Sequence, residues 1–339
     1  MIRIGVIGLG FGRHVHIPAL KLIPQAQLVA VSARTAQSAE AVAASEKVQA
    51  FTDPLELIAS PDVDAVILAV PPNAQPDLIR QCIQKKKHVF LEKPVGGGTA
   101  EAMKLYQEMQ RSSLIHMIDF EFCDLPAWKS FATELPSLGE LRQVNVSWNS
   151  ETVSQKNYAL QKTNSWKIDL TQGGGTLNNL GSHALYYLEH FFGPMKSLLC
   201  SLESGSWPTD STMRMLVEWP KFVGQVVIAT NCPGGNGHRI EVHGSEASLQ
   251  LDNSTADYMS DFRLTKTTRG SIRTDLTPPE PPSTHKDGRV QAVHRLLTRW
   301  IEGIKNNTQV SPNLAHGARV EHLIDQCRLS HQSRSWQAQ

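Results

Sequence analysis

Two stretches of this chain place reactive side chains where chemistry could be done. The first is Phe90-Leu91-Glu92-Lys93-Pro94. His88 to Leu91 is strand-like, and Pro94 has no N–H, so it ends the ladder. Lys93 therefore falls at the carboxyl end of a strand, the edge where an open parallel sheet binds ligands. An ammonium there could hydrogen-bond a reacting oxygen and stabilise negative charge as it develops. The second stretch is Gly173-Gly174-Gly175-Thr176-Leu177-Asn178-Asn179-Leu180-Gly181-Ser182-His183, running into a helix over Ala184 to Phe192. Three glycines allow a close backbone approach to a ligand. Asn179 and His183 are four apart, so on a helix they share one face. A histidine facing a pocket can move a hydroxyl proton near neutral pH. Alone on an apolar helix it would read as a core histidine; beside a glycine-flanked polar pair the functional reading is favoured.

These residues need a cofactor and a frame. Ile2 to Ile7 reads as a buried parallel strand, followed by Gly8-Leu9-Gly10-Phe11-Gly12-Arg13 and an apolar helix to about Leu22. Strand, glycine turn and helix together bring backbone N–H groups to a dinucleotide pyrophosphate. The pattern departs from GxGxxG: the third glycine comes one residue early, and Arg13 stands in its place. Leu28 to Ser32 is the second strand. A NAD-selective site places Asp or Glu at its end to bind the ribose 2′-OH. Here the end reads Ser32-Ala33-Arg34-Thr35. A guanidinium suits a 2′-phosphate, so the reading favours NADP(H), with NAD(H) as the other choice. The bland alternative is a solvated surface arginine.

The alternation continues. A helix is expected over Thr35 to Ser45, a strand over Val48 to Phe51, and a helix capped by Asp53 with Pro54 in its first turn. The strand Ala65 to Val70 ends in Pro71-Pro72-Asn73 at the sheet's carboxyl edge. Lys85-Lys86-Lys87 closes the next helix and reads as satisfying its dipole rather than as a basic patch. After Lys93 come the turn Gly96-Gly97-Gly98, a helix over Thr99 to Arg111 and a strand over Ile115 to Phe120. Alternating strands and helices mean an α/β, doubly wound parallel sheet of Rossmann type.

Around Phe120 the alternation breaks, which sets domains at 1–122 and 123–339. A connecting helix over Leu125 to Leu135 precedes strands at Leu141–Trp148, Leu198–Glu203, Met213–Trp219, Phe222–Ala229, Ile240–Gly244 and Ser248–Leu251. Short links between them imply an open, mostly antiparallel sheet with one face available to a partner subunit. Pro278-Pro279-Glu280-Pro281-Pro282 reads as an extended loop. Two amphipathic helices close the chain. One carries Val290, Val293, Leu297, Ile301 and Ile304; the other carries Val320, Ile324 and Cys327.

Composition narrows the class. The 339 residues exceed one hydrophobic core. With 33 basic and 32 acidic residues, net charge +1, neither nucleic acid nor a membrane surface is expected as partner. Five scattered cysteines without a CxxC suit a reducing compartment and give no zinc signature. No apolar run approaches the ~20 residues of a membrane span, and the opening strand reads as no signal peptide. The expectation is a cytoplasmic protein with a small-molecule substrate and no metal, assembled as a homodimer or homotetramer through its second sheet.

The motifs in this order resemble the glucose–fructose oxidoreductase / inositol dehydrogenase family (Gfo/Idh/MocA). The resemblance spans nearly the whole chain and rests on the Gly8-Leu9-Gly10-Phe11-Gly12 turn, Ala69-Val70-Pro71-Pro72-Asn73, Glu92-Lys93-Pro94 and Gly173-Gly174-Gly175…Gly181-Ser182-His183. It implies a nicotinamide-dependent oxidoreductase acting on a sugar, cyclitol or related carbonyl. Lys93 and His183 would be its catalytic lysine and histidine, and Asn179 would orient substrate or imidazole. Gly8, Gly10, Phe11, Gly12, Arg13, Ser32, Arg34, Thr35, Val70, Pro71, Asn73, Glu92 and Lys93 would meet the cofactor. Trp166 and Lys167 would line the substrate pocket with Asn179 and His183. Two departures stand out. Asn179 replaces an aspartate, so it cannot favour an imidazolium as a carboxylate would. Gln75 replaces a histidine. A dinucleotide-sensing regulator without turnover is the other reading of this fold. Retention of both Lys93 and His183 favours the enzyme.

Overall fold

The structure is a computed structural model describing residues 1–152, 166–255, 257, 259–279 and 285–339. It divides into two compact units: residues 1–121 with 285–321, and residues 122–284 with 322–339.

The first unit is built on β1 (Ile2–Ile7), β2 (Ala26–Ser32), β3 (Gln49–Phe51), β4 (Ala65–Leu68), β5 (His88–Leu91) and β6 (His116–Ile118). Their order is β3-β2-β1-β4-β5-β6, and neighbours pair parallel. The order reverses between β1 and β4, which makes a switch point beyond their carboxyl ends. Every residue of β4 is buried. A strand covered on both faces reads as an unbroken apolar run, as Ala65 to Leu68 does.

The helix Arg289–Asn306 belongs to this unit. Its stripe Val290, Val293, Leu296, Leu297, Trp300 and Ile301 shares one core with Ile4, Val6, Val31, Ile67 and Phe90. The chain therefore returns to its first unit after leaving it, rather than dividing once at 122/123. Spacing marks a stripe as apolar but does not say which sheet will cover it. Lys87 also departs from expectation. It is buried, and its Nζ donates to the carbonyls of Ser60 at 2.9 Å and Val63 at 2.5 Å. It thus caps the end of the helix Pro54–Ala59, not its own.

The second unit carries β7 (Leu141–Asn149), β8 (Ser197–Glu203), β9 (Thr212–Glu218), β10 (Val223–Ala229), β11 (Gly237–Gly244), β12 (Ala247–Asn253), β13 (Arg263–Thr268), β14 (Ile272–Asp275) and β15 (Gln337–Ala338). Their order among the described residues is β14-β13-β12-β11-β7-β10-β9-β8-β15. Pairing is antiparallel except for β7 with β10. Burial alternates along the strands, with Val144, Val146 and Trp148 of β7 turned inward. On that side the helices Pro126–Glu134 and Ser182–Phe192 bring Trp128 and Tyr187 to His238 of β11. The hairpin β13–β14 was not anticipated: apart from buried Leu264 and exposed Ile272 its residues are polar. Of the proline run, residues 280–282 lie outside the described residues. No helix among the described residues is long and apolar enough to cross a membrane.

Candidate active site

The glycine turn after β1 is built for a dinucleotide. Gly8 has φ +93°, and a side chain there would collide with the Ala69 carbonyl and meet Val70 Cγ1 at 3.2 Å. A side chain on Gly12 would come within 2.9 Å of Val6 Cγ1, whereas Gly10 faces open space. The three positions match a tight turn, an open approach and a close helix–strand contact. The early third glycine is accompanied by a wide π-helical turn over Gly12–His16, which carries Arg13 to the surface. Ser32 is buried and gives its carbonyl to Gly8 N at 3.0 Å. Arg34 is exposed just before Thr35, which caps the helix Ala36–Glu46 by accepting from Ser38 N at 3.3 Å. That helix has no acidic residue in its first turn.

At the carboxyl edge, Pro71-Pro72-Asn73 forms a short turn against Gly96, where any side chain would strike the Pro72 carbonyl. The Lys93–Pro94 peptide is cis. Buried Gln75 donates from Nε2 to the Pro94 carbonyl at 2.9 Å. The residue that replaces a histidine thus braces the Lys-Pro turn. Lys93 is 8% exposed. Burial lowers its proton affinity, and Glu121, Glu92 and Asp119 oppose that effect without overcoming it.

Sequence reasoning missed three members of this cluster: His16, Asp119 and Glu121. His16 Nε2 is 3.1 Å from both Glu92 Oε1 and Asp119 Oδ2. Burial pushes the imidazolium down, but Asp119 and Glu92 outweigh it and hold its pKa at about 9. Burial and Glu92 raise the Asp119 carboxyl to about 6, against the pull of His16 and Lys93. Burial, then Asp119, pushes Glu121 well above the usual carboxylate range. Glu92 stays low: its burial is outweighed by His16 and Lys93. Glu92, expected at the cofactor, thus turns its carboxylate to His16. The ligand-type atoms of His16, Glu92 and Asp119 lie within 4.8 Å of one another, but His16 and Lys93 already supply the cationic charge these carboxylates need. The strand-end rule that selected Lys93 would also have selected Asp119, one residue past β6.

In the second unit, His183 and Asn179 are both buried. Asn179 lies not in an α-helix but in a π-helical turn, Leu177–Gly181, that leads into Ser182–Phe192. His183 meets the Phe122 ring edge-on at 5.0 Å, with Trp148 at 6.4 Å. The glycine run is tied to its own chain. Gly174 N donates to Asp169 O and Gly175 N to Lys167 O, each at 2.8 Å. A side chain on Gly174 would meet Asp169 N at 2.8 Å. Gly174 makes room for the Trp166–Ile168 turn and Gly175 for Asp210, and the two N–H groups hold Lys167 and Asp169 beside the run that leads to His183. Asp210 Oδ2 accepts from Leu177 N at 2.7 Å, and Arg328 donates to Asn178 Oδ1 at 2.8 Å. The turn carrying Asn179 is therefore held from two sides.

A parallel sheet with a glycine turn at its switch point, joined to a second unit with a mostly antiparallel sheet, defines a two-domain dinucleotide-binding protein. Residues 2–120 match the oxidoreductase family with an NAD-binding Rossmann fold, and residues 135–338 match that family's C-terminal alpha/beta domain. The chain belongs to the Gfo/Idh/MocA family of oxidoreductases. It is 32% identical to an uncharacterized oxidoreductase of Synechocystis sp., over 99% of this chain and 96% of the relative. It is 37% identical to myo-inositol 2-dehydrogenase of Thermotoga maritima over 35% of this chain and 36% of that enzyme. The fold superposes on levoglucosan dehydrogenase in complex with NADH with TM-score 0.87 at 19% identity, covering 99% and 98% of the two chains. At that identity the likeness is one of fold.

Proposed function

We propose that the protein is an NADP(H)-dependent oxidoreductase acting on a carbinol or carbonyl carbon of a sugar, cyclitol or related small molecule. The observation that carries this reading is Lys93, a buried amine among carboxylates at the carboxyl edge of the sheet. The nicotinamide supplies the hydride chemistry when bound. Gly8, Gly10 and Gly12 shape the turn that would take the pyrophosphate. Lys93 hydrogen-bonds the reacting oxygen and stabilises its developing charge. His183 relays the proton, Asn179 orients substrate or imidazole, and Trp166 and Lys167 line the pocket. The names of relatives, myo-inositol 2-dehydrogenase and levoglucosan dehydrogenase among them, support a polyhydroxylated substrate. The test is NADPH oxidation with a panel of keto-sugars and keto-cyclitols. Turnover that disappears in Lys93→Ala is expected. Tight NADPH binding with no turnover across the panel would leave a dinucleotide-sensing regulator instead.

The preference for NADP(H) rests on Arg34 and on the missing acidic residue after β2. A charge-assisted phosphate contact is worth about 1.5–3 kcal/mol. Arg34→Ala should therefore weaken NADPH binding roughly ten- to a hundredfold and leave NADH binding unchanged. Calorimetric titration with both cofactors decides it; equal or tighter NADH binding by the unmodified protein sinks the preference.

The outer face of the second sheet is the proposed subunit interface, giving an isologous dimer or a dimer of dimers. Leu216 of β9 is 47% exposed and Val223 of β10 is 53% exposed, and both sit among polar neighbours such as Gln225 and Arg214. Sedimentation should show an oligomer at micromolar protein, and Leu216→Lys should shift it toward monomer. A monomer throughout counts against the interface. The free cysteines fit a reducing, cytoplasmic setting.

A further inference from the structure

The charge cluster around Lys93 contains groups that the proposed reaction does not use, His16 first among them. His16 is fully buried on the turn that follows the glycine loop, edge-on to Phe11 at 5.0 Å and to Phe90 at 5.7 Å. Its Nε2 is shared between Glu92 and Asp119, at 3.1 Å from each. Those two carboxylates also act on Lys93: Glu92 precedes it, and Asp119 is tied to β5 by its N–H donating to Leu91 O at 2.8 Å. One pair of carboxylates, Asp119 buried and Glu92 half-buried, thus acts on two cations. In a low-dielectric interior, whatever charge His16 carries is subtracted from the field that keeps Lys93 protonated.

We propose that His16 is a positioning residue for Lys93: with Glu92 and Asp119 it forms a largely buried triad whose proton sets how firmly Lys93 holds its own. This rests on the reading of Lys93 as the group that hydrogen-bonds the reacting oxygen. An amine surrounded by uncompensated carboxylates would hold its proton too tightly to donate it. The protonated imidazole offsets part of that field and makes Lys93 a better acid. Further ionisable groups at this edge include Glu121, whose carboxyl is pushed well above the usual range by burial and then by Asp119, and Glu321, whose carboxylate accepts from Gly96 N at 2.6 Å. On the far side of His16, Arg289 lies over the Phe11 ring at 5.1 Å and is paired with Asp287 at 2.6 Å.

Opposite substitutions test this. His16→Gln removes a positive charge and keeps a hydrogen-bonding side chain. Asp119→Asn removes a negative charge at nearly constant shape. The titration of the Lys93 amine is followed by NMR in full-length protein labelled at lysine Cε and Nζ, with the signal assigned by its loss in Lys93→Met. His16→Gln should raise the Lys93 midpoint by about one pH unit, and Asp119→Asn should lower it by about as much. The basic limb of kcat/KM for NADPH-dependent carbonyl reduction should move the same two ways. A brace with no electrostatic role would cost stability or turnover in both variants without moving the midpoints apart. Unmoved midpoints, or shifts of one sign, overturn the proposal. If His16→Gln does not fold, the unmodified protein decides: the Lys93 signal must shift where the His16 ring loses its proton, and the absence of a shared step overturns it. If no substrate is turned over, the oxidoreductase reading fails, and the NMR titration still decides this one.

Discussion

Around Lys93 the first unit buries His16, Asp119 and Glu121, with Glu92 half-buried beside them. Around His183 the second unit buries rings: Phe122, Trp128, Trp148, Tyr187, His238 and Phe262. Even the second histidine in that group behaves as a ring. His238 stacks on Trp148 at 4.1 Å, bonds Tyr187 Oη at 3.1 Å, and burial pushes it down to about 3. Proton affinity in the first unit is set by burial and neighbouring charge together, whereas the rings of the second are set by packing.

The largest effect that would break this comparison is on turnover. Lys93→Ala and His183→Ala should each lower kcat about a hundred- to a thousandfold, the scale of losing one transition-state donor. If they serve one transition state, the double variant should be little worse than the poorer single. Multiplicative losses, or an active His183→Ala protein, would mean that the two residues do not act on one substrate.

A smaller effect sharpens the packing side. Trp128 is fully buried against Phe122 and Tyr187, each at 5.1 Å, and Phe262 at 5.4 Å. Trp128→Ala should cost about 3–5 kcal/mol in the unfolding of its unit. The loss should be the same at pH 6 and pH 9, because the neighbouring His238 stays neutral over that range. Denaturant melts at the two pH values check it; a loss that changes with pH would place charge where the rings are.

The smallest effect belongs to the charged side. His16 has a folded pKa raised to about 9 above an unfolded value near 6.5. Its protonation therefore stabilises the fold fully below about pH 6.5, and this contribution disappears as pH rises through 9. The stability difference between the unmodified protein and His16→Gln, about 1–3 kcal/mol at pH 6, should shrink toward pH 10. A difference that holds constant or grows with pH would show that His16 is folded as a neutral ring.

Several features were determined by sequence alone. The glycine turn after β1, Lys93 at a strand's carboxyl end and the apolar stripe of Arg289–Asn306 each depend on local rules: backbone freedom, a missing N–H and a helical period. None needs a partner distant in the chain. Tertiary structure decided the rest. It gave the stripe of 289–306 to the first sheet, because an amphipathic helix carries no address beyond its apolarity. It paired the polar hairpin β13–β14 into the edge of the second sheet, where backbone hydrogen bonds suffice and side-chain pattern says little. It turned the glycines of Gly173-Gly174-Gly175 toward their own chain. And it brought His16, Glu92 and Asp119 within 3.1 Å contacts from three separate elements. Residues so far apart in sequence become one titrating unit only when the sheet aligns their ends, so no spacing in the sequence could reveal it.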